Sequence, residues 1–158
     1  MADKQGIVVA VEDMATASIV AVEAAHVAME RGAPEVVFVH ALDRHTTMGA
    51  ILGASGYCPP VMETDEEGRR VLSLAEQAFN AEYQAREQAP PAIIHEIVEG
   101  DPTEAIEQAV RTHGAAEVVL GARRPHAFGR LVHPCVHTRL SARLPCPIHV
   151  ASLQEAPA

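Results

Sequence analysis

Apolar positions along the chain alternate between short continuous runs and helically spaced stripes. Ile7-Val8-Val9-Ala10-Val11 is continuous, the pattern of a strand in a parallel sheet covered on both faces, and it stops at Glu12-Asp13. Asp13 is placed to cap a helix reaching about Arg31, in which Ile19, Val22, His26 and Met29 share one stripe and Ala17, Ala21, Ala24 and Ala28 form a small-residue one. Gly32 ends that helix. Val36-Val37-Phe38-Val39 begins a second buried strand that runs on through His40 and Ala41 to Asp43, so the helix between the two strands predicts a right-handed βαβ unit. Residues 44–62, with Gly49, Gly53, Gly56 and the pair Pro59-Pro60, read as a long variable loop.

From about Glu63 to Ala89 the stripe Leu72, Ala75, Phe79, Tyr83 predicts an amphipathic helix ending before Pro90-Pro91. Ile93 to Val98 gives a third strand. Asp101-Pro102-Thr103-Glu104 is a helix start in which Asp101 caps, Pro102 takes the first helical position and Glu104 completes a capping box. The buried side of that helix is expected at Ile106, Ala109, Val110 and His113, with Gly114 after it. Glu117-Val118-Val119-Leu120-Gly121 is a fourth strand, Pro134 opens a short helix to about Leu144, and Pro147 to Ala151 is a fifth strand. Five strands alternating with four helices predict an α/β fold: a doubly wound, five-stranded parallel sheet sandwiched by helices, its ligand site beyond the carboxyl ends of the strands.

Composition narrows the classes of partner. The 158 residues suit one domain over 1–158, with a core of about 6–152, and the net charge of −9 disfavours a nucleic-acid backbone as ligand. With no Trp, two Tyr and three Phe, a base-stacking platform is not available either. The first residues lack the layout of a signal peptide, and no apolar run approaches the ~20 residues of a membrane span, so a cytoplasmic protein without membrane contact is expected. Cys58, Cys135 and Cys146 are odd in number and widely spaced, which suits reduced thiols.

The residues from Gly6 to Ser152 resemble the universal stress proteins. The resemblance rests on the strand with terminal acids at 7–13, Val-His-Ala-Leu-Asp at 39–43, Gly100-Asp101-Pro102, the segment Ala-Glu-Val-Val-Leu-Gly at 116–121, and Leu144-Pro145-Cys146-Pro147-Ile148. It implies the Rossmann-like fold of that family and a role as a stress-response binding or signalling module; enzymatic activity is the minority reading, since no Ser-His-Asp order, paired-carboxylate spacing or zinc-hydrolase motif stands out. Nucleotide-binding members carry Gly-x2-Gly-x9-Gly-Ser/Thr after the fourth strand, and that frame falls here on Gly121, Arg124, Pro134 and Cys135. Glycines let backbone N–H groups approach phosphate oxygens, and the final pair sets a helix N-terminus and a hydroxyl beside them; proline removes one of those donors.

The family's aspartate after the first strand aligns with Glu12, and Ala41 stands where a backbone contact to adenine is implied. The candidate nucleotide or anion set is therefore Glu12, Asp13, Ala41, Gly100, Gly121, Ala122, Arg123, Arg124, Arg130, Pro134, Cys135 and Val136, in a cleft between the first and fourth strands. Arg123, Arg124 and Arg130 either hold an anion through their side chains or are solvated loop arginines. With this frame, no cofactor is the main expectation, ATP binding being weak or lost; an ATP-binding switch is the alternative.

Two other chemistries are available. Cys135, at the inferred helix start and beside the arginines, is the candidate reactive thiol of a redox protein. His133, Cys135 and His137 have metal-ligand spacing without a fourth ligand, so no metal is expected and the two histidines are read as lining a polar cleft or its rim. His26, His40, His95 and His113 are read as packing or helix-end residues, His113 being favoured when protonated in the last turn of its helix. As to partners, the resemblance implies a homodimer through the last strand, Ile148, His149, Val150, Ala151 and Ser152, while any other protein partner is left unnamed.

Overall fold

The computed structural model describes residues 5–42, 64–122 and 136–152. Strand β1 (Ile7–Ala10) lies at the centre of an all-parallel sheet whose other strands are β2 (Glu35–Leu42), β3 (Ala92–Glu99), β4 (Glu117–Ala122) and β5 (Ile148–Ser152), in the order β3-β2-β1-β4-β5. The continuous apolar run of β1 has its reason in this position: Ile7 and Val9 face one helical layer, Val8 faces the other, and all three are wholly buried.

Helices α1 (Met14–Arg31) and α2 (Asp65–Ala85) cover one face. The other face is covered by α3 (Pro102–His113) and α4 (Val136–Ser141). The predicted doubly wound sandwich is therefore present. Asp13 caps α1 by accepting from the Thr16 amide, and Gly32 closes it in the left-handed conformation. Thr64 and Glu67 form a reciprocal capping box at the start of α2.

Several boundaries and faces differ from the sequence reading. On α1 the buried side is the alanine stripe, joined by Thr16, Val20 and Val27, whereas Ile19 is 43% exposed. Small side chains let α1 lie close to the sheet and to α2, and close packing outweighs burial of the larger isoleucine. Helix α2 stops at Ala85 instead of Ala89, because Glu87 takes a positive φ of 53° and Gln88 N–H turns back to the Tyr83 carbonyl. At the start of α3, Asp101 accepts from Glu104 N–H, but its carboxylate is bound by Arg139 of α4 at 3.2 and 2.9 Å, and Glu104 makes no return bond among the described residues. Strand β3 gains Ala92 and Glu99 at its ends, and α4 ends at Ser141 instead of Leu144. Asp43, residues 44–62 and Pro134 lie outside the described residues.

Candidate functional site

The strand order reverses between β1 and β4, and a cleft of about 240 Å³ opens beyond their carboxyl ends. Its described lining joins Ala10, Val11 and Glu12 of the β1–α1 turn to Val39 and Ala41 of β2 and to Leu120 and Gly121 of β4. Thr16 and Val20 come from α1, Pro102 and Ile106 from α3, Val136 and His137 from α4. Parallel topology forces this convergence, since every strand points its carboxyl end, and the following turn, to the same side of the sheet.

The turn that carries Glu12 is held from both sides. Asp13 Oδ1 accepts from Thr16 N and from Thr16 Oγ1, each at 2.9 Å. Val11 N–H donates to the Val39 carbonyl at 2.9 Å, and the Val11 carbonyl accepts from Nδ1 of His40, a residue only 1% exposed, at 2.7 Å. A buried imidazole thus ties the cleft's turn to β2. Gly68 of α2 packs against that ring so closely that an added Cβ would stand 3.2 Å from His40 Cδ2. Across the cleft, Gly100 adopts a φ of 128°, outside the ordinary range of L-residues, and donates its N–H to the Leu42 carbonyl at 3.2 Å. That bend delivers Asp101 to the α3 cap and Pro102 to the cleft.

The chemistry offered is an apolar surface with few polar groups. Glu12 is exposed, the Thr16 hydroxyl is spent on Asp13, and His137 is half-buried. Such a lining encloses an apolar or aromatic group and offers one carboxylate and one imidazole for hydrogen bonding. None of the described lining residues is a serine, cysteine, lysine or arginine.

Of the residues proposed from sequence, Glu12, Ala41, Gly121 and Val136 meet at this cleft, while Asp13 and Gly100 shape it from behind without lining it. Ala122 ends β4 opposite Ser152. Arg123, Arg124, Arg130, His133, Pro134 and Cys135 lie outside the described residues, as does Cys58. Among the described residues no group of three or more His, Cys, Asp or Glu is placed to hold a metal ion. Cys146 is a half-buried free thiol whose pKa is pushed up by burial.

Thr16, Val20 and Arg139 had no part in the sequence reading, and His40, read there as a packing residue, is buried and in addition holds the cleft's turn. The i,i+3 spacing of Asp13 and Thr16 was a usable sign of the first. The pairing of Arg139 with Asp101, 38 residues apart, left no local sign. On β5, Ile148, His149 and Val150 are half-buried and pair with β4 on one side. No helix among the described residues is long and apolar enough to cross a membrane.

A doubly wound parallel α/β domain with a small-ligand cleft at its switch point is the class that these features define. More narrowly, the universal stress protein family model matches residues 5–152, and the chain belongs to that family. No curated protein matches the chain. Among solved structures, a member of the universal stress protein family from Burkholderia pseudomallei is 28% identical, with a TM-score of 0.60 over 95% of this chain and 98% of that one. The universal stress protein from Archaeoglobus fulgidus in complex with dAMP is 22% identical, with a TM-score of 0.61 over 92% of this chain and 96% of that one. A universal stress protein in complex with cAMP is 16% identical, with a TM-score of 0.66 over 92% of this chain and 95% of that one.

Proposed function

We propose that this chain is a cytoplasmic stress-response binding module whose cleft holds a small ligand without turning it over, and whose hold on ATP is weak or lost. The observation that carries this reading is a formed, mostly apolar cleft lined by Gly121, where a sequence frame begins whose other signature positions are Arg124, Pro134 and Cys135. Family relatives have been solved with dAMP and with cAMP, ligands with a single phosphate, which supports an adenine nucleotide as the ligand class. A triphosphate asks more of the frame. Pro134 has no N–H to give, Cys135 is a poor substitute for a hydroxyl, and Arg124 adds bulk where glycine allows close approach. Each lost hydrogen bond to a charged phosphate is worth about 1.5–3 kcal/mol, so two together lower affinity by roughly two to four orders of magnitude.

Native mass spectrometry of the purified protein is expected to show no bound ATP, and calorimetry no micromolar ATP affinity. Combining Arg124→Gly, Pro134→Gly and Cys135→Ser is expected to restore it. Micromolar or tighter ATP binding by the unmodified protein overturns this reading and favours an ATP-binding switch that uses arginine side chains. The same proposal includes a homodimer through the outer edge of β5, a strand whose half-buried Ile148 and Val150 pack on the α3/α4 side. Sedimentation at micromolar concentration is expected to find a dimer that Val150→Pro weakens, and a monomer there removes this part.

A further inference from the structure

Strand β3 is the longer of the two edge strands, eight residues against five in β5. It pairs with β2 in unbroken register from Glu35↔Ala92 to Leu42↔Glu99, and no described strand lies on its other side. Edge strands of natural proteins are guarded by prolines, lysines, bulges or charges that hang over the open backbone. Between Ala92 and Glu99 there is no proline, no lysine and no bulge.

The ionisable side chains in the middle of the strand are drawn away from the edge. His95 turns onto one face, where Nε2 lies 2.6 Å from Glu76 of α2, and Glu96 turns onto the other, 2.5 Å from Nε2 of His113 on α3. Ile93 and Ile97 pack on the α1/α2 side, Ile94 and Val98 on the α3/α4 side, and all four stay half-exposed where the equivalent residues of β1 are fully buried. Beside the edge, a groove of about 450 Å³ runs between Glu96–Val98 and the short side chains Ala105 and Thr112, with Gln108 between them.

We infer that the outer edge of β3, with the groove beside α3, is a docking site for an extended, basic peptide segment of a partner protein, which adds a sixth strand to the sheet. Eight residues of strand present about 26 Å of open backbone, enough for a segment of seven or eight residues. Main-chain hydrogen bonds supply the attachment, and alternate apolar side chains of the guest cover the exposed parts of Ile94 and Val98. Charge selects the partner: the strand carries Glu96 and Glu99, Glu76 stands beside it, and the chain has a net charge of −9. A second copy of this chain in the same place is opposed by the like net charge of −9 on the two molecules.

The test uses the full chain and a fluorescein-labelled seven-residue peptide of alternating lysine and valine, read by anisotropy. Two further versions carry N-methyl groups on the odd or on the even residues, so that each blocks one hydrogen-bonding edge of the peptide. One version is expected to lose binding at least tenfold and the other less than twofold, and a glutamate–valine peptide is expected not to bind. Val98→Lys, on the groove side of the strand and checked for folding by circular dichroism, is expected to weaken the parent peptide at least tenfold. Equal binding by both methylated versions overturns the inference in favour of charge alone, and no binding at millimolar peptide overturns it outright. Hydrogen-exchange protection over Ala92–Glu99 that grows with protein concentration, without peptide, overturns it in favour of a second copy.

Discussion

The helical layers on the two faces of the sheet are built of different materials. On the α1/α2 side Phe38 meets Phe79 edge-to-face at 5.5 Å, Phe79 lies 5.1 Å from Tyr83, and an alanine-faced helix closes over them. On the α3/α4 side the described core is aliphatic throughout, and its helices have 12 and 6 residues against 18 and 21. The difference bears on the cleft. Val39, Ile106 and Leu120 belong to the aliphatic core and also line the cleft, with Ala10, Ala41 and Val136 packed beside them. The ligand space is thus walled largely by the lighter layer, while the heavier layer adds Val11, Thr16 and Val20 and fixes the turn of Glu12 through His40 and α1.

Truncation should separate the layers most. Phe79→Ala is expected to cost about 3–5 kcal/mol, because a wholly buried ring held by Phe38 and Tyr83 leaves a cavity that the close-packed α1 cannot collapse into. Leu140→Ala, equally buried but on the six-residue α4, is expected to cost about 2 kcal/mol as that helix settles. Urea unfolding of both variants measures the gap, and equal losses would break the comparison.

Gly68→Ala probes how firmly the heavier layer holds the cleft's turn. The new methyl meets His40 at 3.2 Å and Leu42 at 3.3 Å, and His40 is fixed by its bond to Val11. Overpacking is expected to exceed the gain in helix propensity, leaving a net loss of about 1–2 kcal/mol. A stabilised variant would show that the His40 ring gives way, and that its tie to Val11 is soft.

Helix starts give a smaller contrast. Thr64→Ala removes a capping box from α2, and about 1 kcal/mol is expected. Asp101→Ala removes the α3 cap and also frees Arg139, so it is expected to cost somewhat more, about 1–2 kcal/mol. Melting curves for the pair check that order. If Asp101→Ala costs less than Thr64→Ala, the Arg139 pair adds nothing to the joining of α3 and α4.

These positions also show what the sequence made legible. Asp13, Gly32, Asp101-Pro102 and Gly114 marked their helix ends because capping is local chemistry, and the apolar runs marked the strands because a parallel sheet buries both faces. The face of α1 was not legible, since Ile19 and the alanines form rival stripes and only the spacing to α2 decides between them. The end of α2 at Ala85 rests on the positive φ of Glu87, a residue with no preference for it. At the site, the crevice followed from strand order, but the contributions of His40, Thr16 and Arg139 depend on partners brought close only by the fold.

His113 carries the smallest expected effect, and it lies at the opposite end of the α3/α4 layer from the cleft. Its Nδ1 lies 3.1 Å from Glu35 of β2 and its Nε2 2.5 Å from Glu96 of β3, so both nitrogens need protons to bond both carboxylates. The last turn of α3 adds a favourable dipole there, and Arg111, the other basic group of that turn, is engaged with Glu107. The hydrogen bond to Glu96 is the main cause that raises the His113 pKa above the ordinary 6.5, against the opposing pull of burial. A raised pKa means that the folded state holds the proton more tightly than the unfolded chain. The stabilisation is therefore complete below about pH 6.5 and fades as pH rises through the raised value. His113→Gln keeps a donor for one carboxylate but does not titrate, so the wild-type advantage in urea should be largest near pH 6 and shrink by up to about 1 kcal/mol by pH 8.5. His26 and His95 are present in both proteins, so the difference between the two curves isolates His113. An advantage that is flat, or that grows with pH, would mean that the imidazole sits between the two carboxylates without its second proton.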